Sequence, residues 1–406
     1  MTNVVFVAPF LLETTLQFIE ATCDLPGVRV SLVTQDPESK VPAALRKKVA
    51  EVEVAENALE APSIQESVLL LKKKTGSVDR LLGALEELQV PLGEVREALQ
   101  ITGMTGDTAR KFRDKALMKD VLAQAGLPCA RHRRVSSSDE IWEFVKEVGY
   151  PLVFKPTAGS GSRSTFRVAD EEQLKEAIGW GEPTVQHEAM LEEFVTGEEH
   201  SFDSVFLGGR MVWHSTTDYY PGPLEVLENP WVQWCVVLPR ERNRPDFAEF
   251  RPLAEKALQT LGMVNGLSHM EWFRMPDGRF AISEVGARPP GAQFVRLISY
   301  AHDTNMYAAW AKLMVFDRFD PPDRPFAAGA AYLRGQGDGK VVKIHGLEEA
   351  QKKVGKLAVE VKLPRKGQSP GGTYDGDGYV IVRHPETAVV KEALASIVRT
   401  IRVELG

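Results

Sequence analysis

The residues best placed to do chemistry are two glutamates that flank a turn. Strand-like runs from His269 to Arg274 and from Phe280 to Arg288 enclose Met275-Pro276-Asp277-Gly278-Arg279. If Asp277-Gly278 forms a two-residue loop, Glu271 falls directly opposite Glu284. Side chains alternate along a strand, so His269 and Phe273 then share the face of Glu271, while Ile282, Gly286 and Arg288 share that of Glu284. Opposed carboxylates repel, and they need a cation, a shared proton or intervening water. A hard oxygen-binding cation such as Mg²⁺, with Mn²⁺ as its substitute, is the economical answer. Pro276-Asp277-Gly278 also suits a three-residue loop with a bulge at Gly278, which shifts the pairing by one and separates the two faces. Both glutamates would then decorate a solvated strand edge.

A second group is basic. The short strand Leu152 to Pro156 carries Lys155 and runs into Thr157-Ala158-Gly159-Ser160-Gly161-Ser162-Arg163-Ser164. Small residues let backbone N–H groups approach an anion, hydroxyls add donors, and Lys155 with Arg163 supplies charge. A phosphate is the natural guest, although the run fits neither the Walker pattern nor the dinucleotide fingerprint. A Gly/Ser hairpin with no ligand is the competing reading, and proximity of Lys155 to the two glutamates decides between them.

Other constellations are poorer. A hairpin turning at Gly208-Gly209 would set Glu199 against Asp218, Ser201 against Thr216 and Asp203 against His214. That polar face reads as water-facing, with the floor of a polar pocket as the alternative. Among eight histidines there is no H-E-x-x-H, and Gly266-Leu267-Ser268-His269-Met270 lacks the last glycine of a nucleophile elbow. Cys23, Cys129 and Cys235 are too few and too scattered for a disulfide framework or a zinc knuckle, and Cys235 reads as a packed small hydrophobe. Lys72-Lys73-Lys74 lacks a glycine cradle and reads as a solvated helix face.

These groups need a scaffold of several parts. The chain has 406 residues, 43% hydrophobic and 26% charged, enough to bury a core in two or three domains. Strands at Val4 to Ala8 and Val28 to Thr34, joined through a helix over Leu16 to Ala21, announce an N-terminal α/β domain with a parallel sheet over 1–109. A continuous helix from Arg110 to Gly126 opens a central domain over 110–325, with a small lobe at about 128–190. From Phe326, short strands, a helix at Leu347 to Lys356, a glycine-rich turn cluster at Gly371 to Gly378 and a closing helix from Thr387 to Arg399 make an α+β region, 326–406. The fold class is therefore α/β and α+β, multidomain. A net charge of −7 argues against a general nucleic-acid binder. No apolar stretch is long enough for a membrane span, and the start has no basic leader, so a cytoplasmic enzyme is expected.

The order of these features resembles the ATP-grasp superfamily over about Arg110 to Val315: a helix bearing Lys115, the Lys155 strand, the Gly/Ser loop, Glu192-Glu193-Phe194-Val195, Glu199, and the hairpin ending Glu284-Val285-Gly286-Ala287-Arg288. The resemblance implies a nucleotide held between two α+β lobes. Lys115 and Lys155 would hold phosphates under the loop of Gly159, Ser160, Gly161 and Ser162. Glu192 through Val195, Phe194 included, would read adenine, and Glu199 the ribose. Glu271 and Glu284 match the Mg²⁺ carboxylates, and Arg288 matches the arginine that steadies the transferred phosphoryl group and the oxyanion. The pattern usually reads Glu-x-Asn-x-Arg, whereas this chain has Gly286 in the asparagine position. The region from Phe326 looks similar to that of L-amino acid ligases. The implied activity is ATP-dependent joining of a small carboxylate to a small amine through an acyl phosphate. The alternatives are a purine-pathway or carboxylase-type member, or an inactive nucleotide-binding module. The oligomeric state stays open, a homodimer included.

Overall fold

The computed structural model describes every residue except 159–164, 180–182, 230–231 and 243. At the N-terminus, strands Glu51–Val54, Val28–Thr34, Thr2–Val7 and Arg80–Leu82 form a parallel sheet in that spatial order. Burial of Val5, Val7 and Val33 on one face and of Val4, Phe6 and Leu32 on the other explains the near-continuous apolar runs, since helices cover both sides. Lys72, Lys73 and Lys74 lie exposed on the helix Ala61–Thr75.

The expected single helix over 110–126 is two helices, Gly106–Arg113 and Lys115–Gln124. Asp114 leaves helical geometry at ψ 107 and its side chain accepts the Leu117 N–H, so a capping residue ends one helix by starting the next. This places Lys115 in the first turn of a new helix.

Two further sheets carry the site. Strands His132–Val135, Ala189–Glu193, Leu152–Pro156 and Phe166–Val168 make a small antiparallel sheet with its own core around Phe144, Leu152 and Leu191. The large sheet has eight strands: Phe280–Gly286, Gly266–Arg274, Glu198–Leu207, Arg210–Tyr220, Trp234–Leu238, Ala327–Leu333, Gly378–His384 and Ala358–Lys362, in that spatial order. Strands from beyond Phe326 thus continue the sheet that holds both glutamates. Helix Pro245–Leu261 packs Phe247, Phe250 and Leu258 on Trp272 to close one face. Among the described residues no helix is long and apolar enough to cross a membrane.

The Gly208-Gly209 turn forms with φ of 60° and 75°, conformations that glycine supplies without strain. Arg210 pairs with Leu207 as a two-residue loop requires, but a bulge between Met211 and Trp213 shifts every later pair by one. Asp203 consequently faces Ser215, and Asp218 faces His200. The expected pairs Glu199 with Asp218, Ser201 with Thr216 and Asp203 with His214 do not occur. Nor is this surface water-facing: Ser201, Asp203 and Thr216 are fully buried, and Asp218 is buried under Arg244 and His200.

Candidate functional site

A cleft lies between the small antiparallel sheet and the large sheet. Lys115, Lys155, Glu192, Phe194, Val195, Glu199, Glu271 and Glu284 all line it. Gly159, Ser160, Gly161 and Ser162 lie outside the described residues. Arg288 lines a neighbouring cavity instead, between the N-terminal sheet and the large sheet.

The basic wall is assembled from two elements. The Lys115 N–H donates to the Thr157 carbonyl at 2.8 Å, tying the new helix to the end of the Lys155 strand. Lys155, buried, lies with Nζ 2.5 Å from Glu192 Oε1 on the adjacent strand. Lys119, also buried, reaches Glu192 Oε2 at 3.1 Å. Burial opposes the charged Glu192 carboxyl, but Lys119 and Lys155 outweigh it and hold its pKa at about 2. Burial likewise opposes the Lys155 ammonium, yet the charge of Glu192, with more distant help from Glu284 and Glu271, raises its pKa. Two lysines on one carboxylate leave net positive charge on this wall.

The acidic wall is the hairpin. Glu271 does face Glu284, although the turn is not the two-residue kind. Met275 donates to the Arg279 carbonyl at 2.8 Å, Gly278 to the Met275 carbonyl at 2.9 Å, and Gly278 has φ 83°. The loop is therefore Pro276-Asp277-Gly278, and Arg274 pairs with Phe280. A second irregularity between Glu271 and Trp272 leaves Ser283 as an extra residue and restores the pairing of Glu271 with Glu284. Ile282 is displaced by the same bulge: rather than sharing the face of Glu284, it packs in the core with Trp272 and Val285.

Each glutamate has a cationic neighbour. Glu284 Oε1 accepts from Lys115 Nζ at 2.7 Å. Burial works against the Glu284 carboxylate, and Lys115, then Lys155 and Arg288, bring its pKa below the ordinary range. Glu271 Oε1 lies 3.8 Å from His269 Nε2, while His269 Nδ1 lies 2.7 Å from Asp203 Oδ1. Burial disfavours the imidazolium, but Asp203 and Glu271 lift the His269 pKa to about 9. Glu199 is the exception. Burial and the nearby Glu271 charge raise its pKa well above the usual range against the pull of Lys155. A bound cation or a nucleotide hydroxyl would relieve it.

Sequence reasoning missed Lys119, the Asp203–His269 pair and Glu86. Lys119 lies one helical turn after Lys115, so both fall on one face of the same helix, a signal that was available. Asp203 and Glu86 approach the site only through sheet pairing and domain packing. Glu86 Oε2 accepts from Arg288 Nε at 2.6 Å.

A two-lobed α+β enclosure with lysines on one wall and opposed carboxylates on the other can hold an anion and a cation side by side. Residues 120–299 match the ATP-grasp domain. It is similar to the L-arginine-specific L-amino acid ligase of Bacillus subtilis, 24% identical over 305 residues that span 74% of this chain and 73% of that protein. The crystal structure of L-amino acid ligase from Bacillus licheniformis has a TM-score of 0.81 at 18% identity, covering 100% of this chain and 99% of that one. N5-carboxyaminoimidazole synthetase from Staphylococcus aureus, solved complexed with ADP, gives 0.71 at 13% identity over 98% and 97% of the two chains.

Proposed function

We propose that this protein is an ATP-dependent carboxylate–amine ligase, acting on amino acids or small amino-bearing metabolites in the cytoplasm. The observation that carries this reading is the convergence of Lys115 and Lys155 with Glu271 and Glu284 in one cleft. The likeness to two L-amino acid ligases favours amino-acid substrates over the purine-pathway and carboxylase alternatives.

In this reading adenine lies against Phe194 and Val195, and Glu199 takes the ribose. Lys115 and Lys155 neutralise phosphate oxygens, which is most of what phosphoryl transfer between anions requires. Among the described residues no group of three or more His, Cys, Asp or Glu is arranged to hold a metal alone. Glu271 and Glu284 therefore fit Mg²⁺ only as part of a shell completed by phosphate and water, which suits an ion that keeps several waters. When bound, the ion would supply charge neutralisation at the transferred phosphoryl group.

A carboxylate oxygen of the first substrate attacks the γ-phosphorus, the bond to the β–γ bridging oxygen breaks, and ADP leaves. The acyl phosphate now has a leaving group. The amine of the second substrate attacks its carbonyl carbon, and Arg288 stabilises the tetrahedral oxyanion. The carbon–oxygen bond to phosphate then breaks, phosphate departs, and the nitrogen gives up a proton. Enclosure between the lobes excludes water that would otherwise hydrolyse the acyl phosphate.

A phosphate-release screen over pairs of amino acids, with mass detection of product, tests this. ADP, phosphate and amide in equal amounts are expected for at least one pair. ATP binding without ADP release for every pair would contradict it.

A further inference from the structure

Glu86 lies outside both the cleft and the matched residues 120–299. It opens the short helix Glu86–Leu88, which follows strand Arg80–Leu82 of the N-terminal parallel sheet. Although charged, it is only 7% exposed. Its Oε2 accepts a hydrogen bond from Arg288 Nε at 2.6 Å, while Arg288 Nη1 donates to the Pro289 carbonyl at 3.0 Å. The guanidinium is thus fixed on one edge, with further N–H donors left over.

The space Glu86 uses belongs to position 286. A Cβ added to Gly286 would stand 3.1 Å from Glu86 Oε2, closer than an ordinary van der Waals contact. Gly286 ends the strand beyond the bulge at Ser283 and is not among the positive-φ glycines, so its backbone conformation does not itself require glycine. A Cβ there would have to push the Glu86 carboxylate aside by a few tenths of an ångström. The glycine that departs from the usual asparagine and the glutamate from the N-terminal domain are two halves of one arrangement.

We propose that Glu86 is a positioning residue for Arg288, admitted to the reacting centre by the missing side chain at Gly286. The N-terminal domain then completes the active site by orienting the arginine. A buried guanidinium without this partner would keep its charge but lose its fixed direction. Because neither residue lines the nucleotide cleft, the effect falls on turnover and not on ATP capture. This role in turnover rests on the ligase reading, whereas the contact itself does not.

The test is a four-protein cycle of wild type, Glu86→Ala, Gly286→Ala and the double variant. With an amide-forming substrate pair, each single variant is expected to lower kcat on the order of 100-fold with KM for ATP unchanged. The double variant should be no slower than Glu86→Ala, since the added methyl then displaces nothing. Glu86→Gln, which keeps an oxygen for the Nε proton, should recover part of the loss. Thermal midpoints of the same proteins read the contact without turnover: Gly286→Ala should lower the midpoint in the Glu86 background and leave it unchanged in the Glu86→Ala background. Losses in kcat that multiply, or wild-type kcat in Glu86→Ala, would overturn the positioning role. Additive midpoints would overturn the shared space. If the wild type makes no amide from any pair, the ligase reading falls by itself and the midpoint cycle still decides the contact.

Discussion

Glu271 and Glu284 stand opposite each other because two irregularities in one hairpin cancel: a three-residue loop displaces the register and the extra residue Ser283 restores it. The carboxylates therefore reach the same side of the cleft as a deliberate pair. Glu284→Gln and Arg288→Ala are each expected to abolish amino-acid-dependent ADP release while leaving far-ultraviolet circular dichroism unchanged. Full turnover in either would remove these residues from the reacting centre.

Glu192 serves two buried ammonium groups, Lys155 and Lys119, at 2.5 and 3.1 Å. Glu192→Gln leaves both without their countercharge. Breaking a buried pair from one side costs about 3–5 kcal/mol, so urea unfolding should show a loss of that order. The same carboxyl gives an acid signature. Its folded pKa of about 2 lies below the ordinary 4.5, so its stabilisation is complete above pH 4.5 and disappears as pH falls toward 2. A Glu192→Gln protein with wild-type stability at neutral pH would refute the pairing.

The Asp203–His269 pair has the opposite sign. The folded pKa of His269, about 9, lies above the ordinary 6.5. Its stabilisation is therefore complete below pH 6.5 and is lost as pH rises through 9. Stability measured from pH 6 to 10 should decline over that window in the wild type, and His269→Asn should flatten this part of the profile. An unchanged slope in the variant would show that His269 is neutral.

Much of this site could be read from the chain because its chemistry is local. Lys155 announces itself by a short apolar strand before a Gly/Ser run, and the two glutamates by a Pro-Asp-Gly turn. What could not be read is whatever depends on one extra residue in a strand. The bulge at Val212 moved every polar pair of the Gly208-Gly209 hairpin, and bulges carry no compositional mark. Burial of Ser201, Asp203 and Thr216 was equally hidden, because a polar run looks solvated until distant parts of the chain pack over it. Asp114 is a different case: an aspartate three residues before Leu117 is a cap signal that a strong apolar stripe from Leu117 to Ala125 outweighed. The Glu86–Arg288 contact spans 202 positions and comes only from the packing of the N-terminal sheet on the large one.

Nucleotide affinity should follow the basic wall. Lys155→Met removes the ammonium that Glu192 holds in the cleft, and calorimetric titration with ATP should show affinity reduced on the order of 10- to 100-fold, the worth of one charge-assisted contact. Glu86→Ala, outside the cleft, should bind ATP as the wild type does. Equal losses in both would indicate general damage to the fold.

If one triphosphate bridges the two walls, a crystal structure with Mn²⁺ and a non-hydrolysable ATP analogue will show both contacts at once. The expected result is phosphate oxygens against Lys115 and Lys155 with an anomalous manganese peak between Glu271 and Glu284. A nucleotide bound elsewhere, or manganese absent from that carboxylate pair at full nucleotide occupancy, would contradict it.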